Sequence, residues 1–148
     1  MFDEFLLEVF FIKIKVKTTL KSLTDSTEEK YETTGIKNKN KLIYYVDKTK
    51  YAVEIKKQQV VIKRENEEFT HGMLFDINQI TSTEYYIKEL GTSLLIKIKT
   101  KNINITDNEI SINYETIDNN SKYIYKIEMS DNNEYKKRIA KDNQKELR

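Results

Sequence analysis

The chain has 148 residues, enough for one domain with a sizeable core. Its 26 Lys+Arg nearly balance its 24 Asp+Glu, so a net charge of only +2 sits on a chain that is 34% charged, without the basic excess typical of a nucleic-acid binder. It has no cysteine and a single histidine, which excludes disulfides, thiolate metal sites and histidine-based metal clusters.

The chain opens with MFDEFLLEVFFIKIKVK. Phe5 to Ile12 is apolar apart from Glu8, and Asp3 and Glu4 precede it where a signal peptide would carry basic residues. The run is also well short of the roughly 20 residues that span a bilayer. It reads as a short helix, or an extension of the first strand, covering one end of a barrel. The expectation is a cytoplasmic protein that is not in the membrane.

Period-2 alternation then recurs along the chain and marks strands with one buried face. Ile12, Ile14 and Val16 alternate with Lys13, Lys15 and Lys17. Tyr51, Val53 and Ile55 share a face, as do Val60, Ile62 and Arg64, and then Phe69, His71, Met73 and Phe75. From Leu94 the stretch LLIKIKTKNINI puts Leu94, Ile96 and Ile98 on one side and Lys97, Lys99 and Lys101 on the other. Ile110, Ile112 and Tyr114 form a further face, and Tyr123, Tyr125, Ile127 and Met129 another.

Short polar turns separate these runs: KNKN (37–40), VDKTK (46–50), KKQQ (56–59), ENEE (65–68), TDNE (106–109) and DNNSK (118–122). Asn and Asp tolerate positive φ and bond to their own backbone, so they stand in for the scarce glycines. Strand follows short turn follows strand, which predicts an antiparallel meander of about eight to ten strands. Closure removes exposed edges, so the predicted fold is an all-β, closed or nearly closed barrel. The whole chain, 1–148, is expected to be one domain, with a barrel over about residues 10–130 and a charged tail from about 131. In that tail Tyr135 and Ile139 are spaced for a short, weakly amphipathic helix, and disorder is the competing expectation.

From Ile12 to Met129 the chain resembles the YwiB-like family of small bacterial β-barrel proteins of unknown function. The resemblance lies in an ordered series of segments: IKIKVKTTL, YETTGIKNKNKLIYYVD with its Gly35, YAVEIKKQQVVIKRENEEFTHGMLF, YYIKELGTSLLIKIKT, EISINYETI and YIYKIEM. The chain departs from the family pattern twice. Glu65-Asn66 stands where a glycine follows the arginine of the fifth strand, and Lys88-Glu89-Leu90-Gly91 replaces a Thr-Pro-Tyr-Gly turn. The resemblance implies a closed, lipocalin-like barrel and implies no reaction.

Catalytic signatures are missing. There is no GxSxG elbow to expose a serine, no phosphate-binding glycine loop, and no carboxylate pair that can be singled out as a glycosidase pair. No catalytic residue, metal site or cofactor is therefore expected. The outward lysines are interleaved with Glu54, Glu115 and Glu128, as on a solvated sheet. A basic stripe for a phosphate backbone would need the strands of Lys13–Lys17 and Lys97–Lys101 to come together. Nucleic acid is thus the disfavoured partner, as an accessory role through those lysine strands.

The ten tyrosines offer two readings: core filling with hydroxyls at the barrel ends, or an aromatic lining for a ligand. Arg64 and His71 share the apolar phase of strands joined by ENEE, which sets Arg64 opposite Phe69 or His71 near one mouth. An inward arginine needs an acceptor. That acceptor is either internal (Glu89, a tyrosine hydroxyl or carbonyls at the barrel end) or the carboxylate or phosphate of a ligand. The expected lumen site is Arg64, His71, Tyr114 and Tyr125, for a small apolar or amphipathic ligand, in a monomer or homodimer. A contact role with another protein is the companion expectation.

Overall fold

A computed structural model describes residues 11–131. The readings for the N-terminal segment and for the charged tail lie outside the described residues. Ten strands follow one another: β1 (Ile12–Ser22), β2 (Thr27–Lys37), β3 (Lys41–Val46), β4 (Thr49–Lys56), β5 (Gln59–Glu65), β6 (Phe69–Asp76), β7 (Thr81–Ile87), β8 (Thr92–Ile105), β9 (Glu109–Thr116) and β10 (Ser121–Asp131). Each pairs antiparallel with its sequence neighbours, and β1 pairs with β10 to close the ring. The described residues contain no helix. Closure gives every strand a partner on both sides over at least part of its length.

The turns work as their residues dictate. Asn38 Oδ1 accepts from the Asn40 and Lys41 amides, Asn66 Oδ1 from Glu68 and Phe69, and Asp76 Oδ1 from Asn78. These are Asx turns, which satisfy amides that no strand reaches. Positive φ falls on Asp47 and Asn120, as the polar turns suggest, but also on Ser26 and Lys57. At these two turns hairpin geometry overrides residue preference.

The inward phases hold across the sequence. Ile14, Val16, Val53, Val60, Ile62, Phe75, Ile98, Ile110, Ile112 and Ile127 form the core. Ile12 and Leu94 keep the inward phase yet are about half exposed, at 54% each, because both lie at strand ends beyond the packed layers. A bulge between Thr100 and Asn102 shifts the phase of β8, so that Ile103 rather than Asn102 packs against the core.

Gly35 lies where β2 crosses closest to the core. A Cβ there would come within 2.8 Å of the Ile43 carbonyl oxygen and 3.1 Å of Tyr44 Cβ. Glycine is required because only a missing side chain lets β2 meet β3 while Tyr44 lies inside. Beyond that point β2 and β3 part: they pair only through Gly35, Ile36 and Lys37. The upper half of β2, carrying Glu29 and Tyr31, remains paired to β1 alone.

The interior changes character along the barrel axis. Inward residues run Ile14, Val16, Thr18, Leu20, Ser22 on β1, and in the opposite chain direction Tyr123, Tyr125, Ile127, Met129 on β10. On β5, Val60 and Ile62 lead to Arg64; on β6, His71 leads to Met73 and Phe75. Aliphatic side chains collect at the end bearing the β2–β3, β4–β5, β6–β7 and β8–β9 turns. Tyrosines, threonines and the Arg64–His71 pair collect at the other.

The lysine strands do not meet. β10 and β9 stand between β1 and β8, so the conditional basic stripe does not form. Some outward lysines pair with acids: Lys17 with Glu32 at 3.1 Å and Lys101 with Glu115 at 3.5 Å on these strands, and Lys126 with Glu109 at 3.4 Å on β10. All three pairs are surface contacts of small energetic weight.

Candidate functional site

The polar end of the barrel contains a cavity of about 230 Å³. Arg64, His71, Tyr114 and Tyr125 all line it, so the structure brings the four sequence-derived site residues into one space. Met73, Ile96 and Ile98 supply apolar wall, and Glu29 and Tyr31 of the parted β2 stand at its exposed side.

Strand register explains the clustering. Tyr44 faces Tyr51, Tyr51 faces Arg64, Arg64 faces His71, and His71 faces Tyr85. One transverse row of the barrel is thus built of side chains that are aromatic or polar. Facing side chains on one sheet surface lie close enough to interact directly.

Arg64 Nε donates to His71 Nδ1 at 2.9 Å. The guanidinium also lies over the rings of Phe69 and Tyr85, with Cζ 5.1 and 5.9 Å from their centroids. These contacts hold it by cation–π attraction rather than by an ion pair. The carboxylate expected from Glu89 does not reach it: Glu89 lies in the exposed β7–β8 turn, and no acid among the described residues pairs with Arg64. The internal partner is the His71 imidazole, which the hairpin spacing sets near Arg64 but which is not among the acceptors expected from sequence.

His71 is 6% exposed, and among the described residues its Nε2 has no hydrogen-bond partner. Burial, and then the Arg64 charge, lower its pKa to about 4. At neutral pH the ring is therefore uncharged. Since Nδ1 accepts from arginine, the proton sits on Nε2.

The tyrosines are arranged in two stacks. Tyr44 lies parallel to Tyr51, centroids 4.9 Å apart, and Tyr114 lies on Tyr123 at 5.2 Å. β4 and β9 are five places apart either way round the ten-strand ring, so Tyr51 and Tyr114 come from opposite walls. The Tyr44 and Tyr125 hydroxyls meet at 3.1 Å in the interior. Burial raises the Tyr44 and Tyr114 hydroxyls well above the ordinary tyrosine value and pushes Tyr125 up to about 12. All three stay protonated, and the Arg64 charge opposes the rise at each.

Thr18, Thr83 and Thr116 also line the cavity and were not singled out from sequence, nor was Tyr85 of the row beside it. The signal was present: polar inward residues fall at the same end of successive strands once chain direction is reversed at every turn. The two departures from the family pattern are neighbours at this end. Lys88 Nζ bonds the Asn66 carbonyl at 2.8 Å and reaches Glu65 at 3.3 Å, tying the β7–β8 turn to the β5–β6 turn.

No family model matches the chain, and no curated protein does. The fold is similar to that in the crystal structure of the ywiB protein from Bacillus subtilis, with a TM-score of 0.62, 20% identity, and coverage of 82% of this chain and 92% of that one. The likeness is one of fold: the chain forms a YwiB-like small β-barrel. Among the described residues no helix is long and apolar enough to cross a membrane.

Proposed function

We propose that the protein is a non-enzymatic binding barrel, used as lipocalin-like barrels are, that holds a small amphipathic molecule in its lumen. The observation that carries this reading is the 230 Å³ cavity, walled by tyrosines and aliphatic side chains and bordered by Arg64. Sites for small molecules are concave, mostly apolar, and equipped with a few placed polar groups. The cavity exceeds the roughly 150 Å³ that takes up benzene in an apolar core and falls below the roughly 300 Å³ of drug-sized pockets. Scaled from benzene, an occupant has on the order of ten non-hydrogen atoms.

The reading places the protein in the bacterial cytoplasm, acting without a cofactor, as a monomer or homodimer. Native mass spectrometry of the protein purified from cells, followed by organic extraction, tests it. A co-purifying molecule of that size, released by denaturation, is the expected result. Empty protein from several growth conditions, together with failure of small arenes to bind, rules the reading out.

A second reading, contact with another protein, is favoured by the β7–β8 hairpin tip. Leu90, Leu94 and Leu95 are each more than half exposed there. Exposed apolar side chains mark a contact site where they form a contiguous patch.

A further inference from the structure

Within the lumen-binding reading, on which this inference rests, we infer that the occupant is a small monocarboxylate whose carboxylate sits on Arg64, with His71 as the positioning residue. Arg64 is the charged group of the cavity lining that has no counter-charge within ion-pair distance among the described residues; the other, Glu29, is exposed. It is half-buried, its Nε is committed to His71, and its plane is held by Phe69 and Tyr85. The remaining fork donors are thus held ready for a planar acceptor. Paired N–H donors match a carboxylate better than they match a lone hydroxyl.

Charge balance narrows the class. One guanidinium neutralises one negative charge. A phosphate monoester would bring close to two, and Glu29 beside the mouth adds repulsion rather than help. Leaving a charge uncompensated in an apolar cavity is strongly unfavourable. A neutral alcohol errs the other way, because it leaves the guanidinium without an anion. His71 suits the positioning role because its neutral ring can accept from Arg64 at Nδ1. That bond fixes the imidazole edge that faces Arg64. The rest of the molecule would contact Met73, Ile96, Ile98 and the tyrosine rings, a surface suited to a short hydrocarbon or a single ring.

The test is calorimetric titration of the full chain with benzoate, hexanoate, benzyl alcohol and phenyl phosphate. At least one carboxylate is expected to bind about tenfold or more tighter than both benzyl alcohol and phenyl phosphate, the margin of a charge-assisted hydrogen bond. Arg64→Met is expected to remove that margin, so that within the variant no carboxylate binds tighter than benzyl alcohol. His71→Phe should narrow the same margin, because Arg64 Nε then has no acceptor at position 71 to hold it. A measurement that needs no variant follows the Arg64 side-chain and His71 imidazole resonances of the wild-type protein during the carboxylate titration, and both are expected to shift. Equal binding of alcohol and carboxylate, tighter binding of phenyl phosphate, or unmoved Arg64 resonances with carboxylate bound overturns the inference and leaves the lumen reading standing. If none of the four binds and no molecule co-purifies, both fall together.

Discussion

The two ends of the barrel are made by the same ten strands and differ in almost everything else. At the closed end Val60, Phe75, Ile110 and Ile127 are fully or almost fully buried, and the space left beside Leu42, Val53 and Met129 is only about 10 Å³. That is at the lower limit for a single water. Asp76 finishes this end as a satisfied carboxylate, accepting from Gln59 at 2.7 Å, Asn78 at 2.9 Å and Gln79 at 3.0 Å. The open end carries a cavity, a cation without an acid, and a buried histidine nitrogen without a partner among the described residues. Tight packing marks the part that holds the fold, although Thr100 Oγ1, outside the cavity lining, is also buried without a partner among the described residues. Looser packing marks the end to which the proposal assigns a ligand.

The largest effect expected is from a charge set between the two ends. Ile98 is 2% exposed and central in β8, so Ile98→Asp buries an unpaired carboxylate and should abolish folding, read as loss of the strand signal in circular dichroism. Its neighbour Lys99 points outward opposite Glu115, so Lys99→Asp should cost no more than about 1 kcal/mol through like-charge repulsion. Equal behaviour of the two variants contradicts the face assignment.

Truncation separates the ends next. Phe75→Ala at the closed end should cost about 3–5 kcal/mol, because a packed ring is replaced by a void. Tyr123→Phe at the open end should change stability by less than about 0.5 kcal/mol, since Tyr123 is only half-buried beside existing space. Urea midpoints at constant slope give both values. If the two variants prove equally destabilising, stability is not concentrated where packing is tightest.

Acid should also act on the ends in turn. The folded pKa of His71 is lowered to about 4 from the ordinary 6.5. Between those values the unfolded chain binds a proton that the folded chain refuses. Stability from this group is therefore complete above about pH 6.5 and declines as pH falls toward 4, by on the order of 2–3 kcal/mol. Asp76 has a lowered pKa, chiefly from its bond with Gln59, so its contribution persists through that window and is lost only at lower pH. His71→Gln should flatten the upper window and leave the lower one in place, seen in urea midpoints at about pH 7 and about pH 4.5. An unchanged slope in the upper window assigns that acid sensitivity to other groups.

A small effect is expected at the residue to which the proposal assigns binding. Arg64→Met removes no ion pair among the described residues but leaves one buried imidazole nitrogen without its donor and gives up the contacts with Phe69 and Tyr85, so stability should fall by about 1–2 kcal/mol. A loss of several kcal/mol, as when a buried pair is broken, would make Arg64 a structural tie instead.

Much of this molecule was legible in its sequence because β-strands write their buried face with period two. Val60, Ile62 and Arg64, or Tyr123, Tyr125, Ile127 and Met129, declare a shared side whatever their partners are. The Asn- and Asp-rich turns are equally local, since those side chains bond their own backbone. Even the placement of Arg64 opposite Phe69 or His71 follows from a short turn between two phased strands, and the strand register selects His71. Other features depend on which strands meet. The bulge after Thr100, the parting of β2 from β3 above Gly35, and the separation of the two lysine strands by β9 and β10 are properties of the closed ring. So is the gathering of the tyrosines of β4, β9 and β10 around one cavity while the aliphatic side chains fill the other end. Periodicity records the face of each strand. The partner across the lumen is set only when ten strands close, because the contact is then between residues far apart in sequence, and no local pattern encodes it.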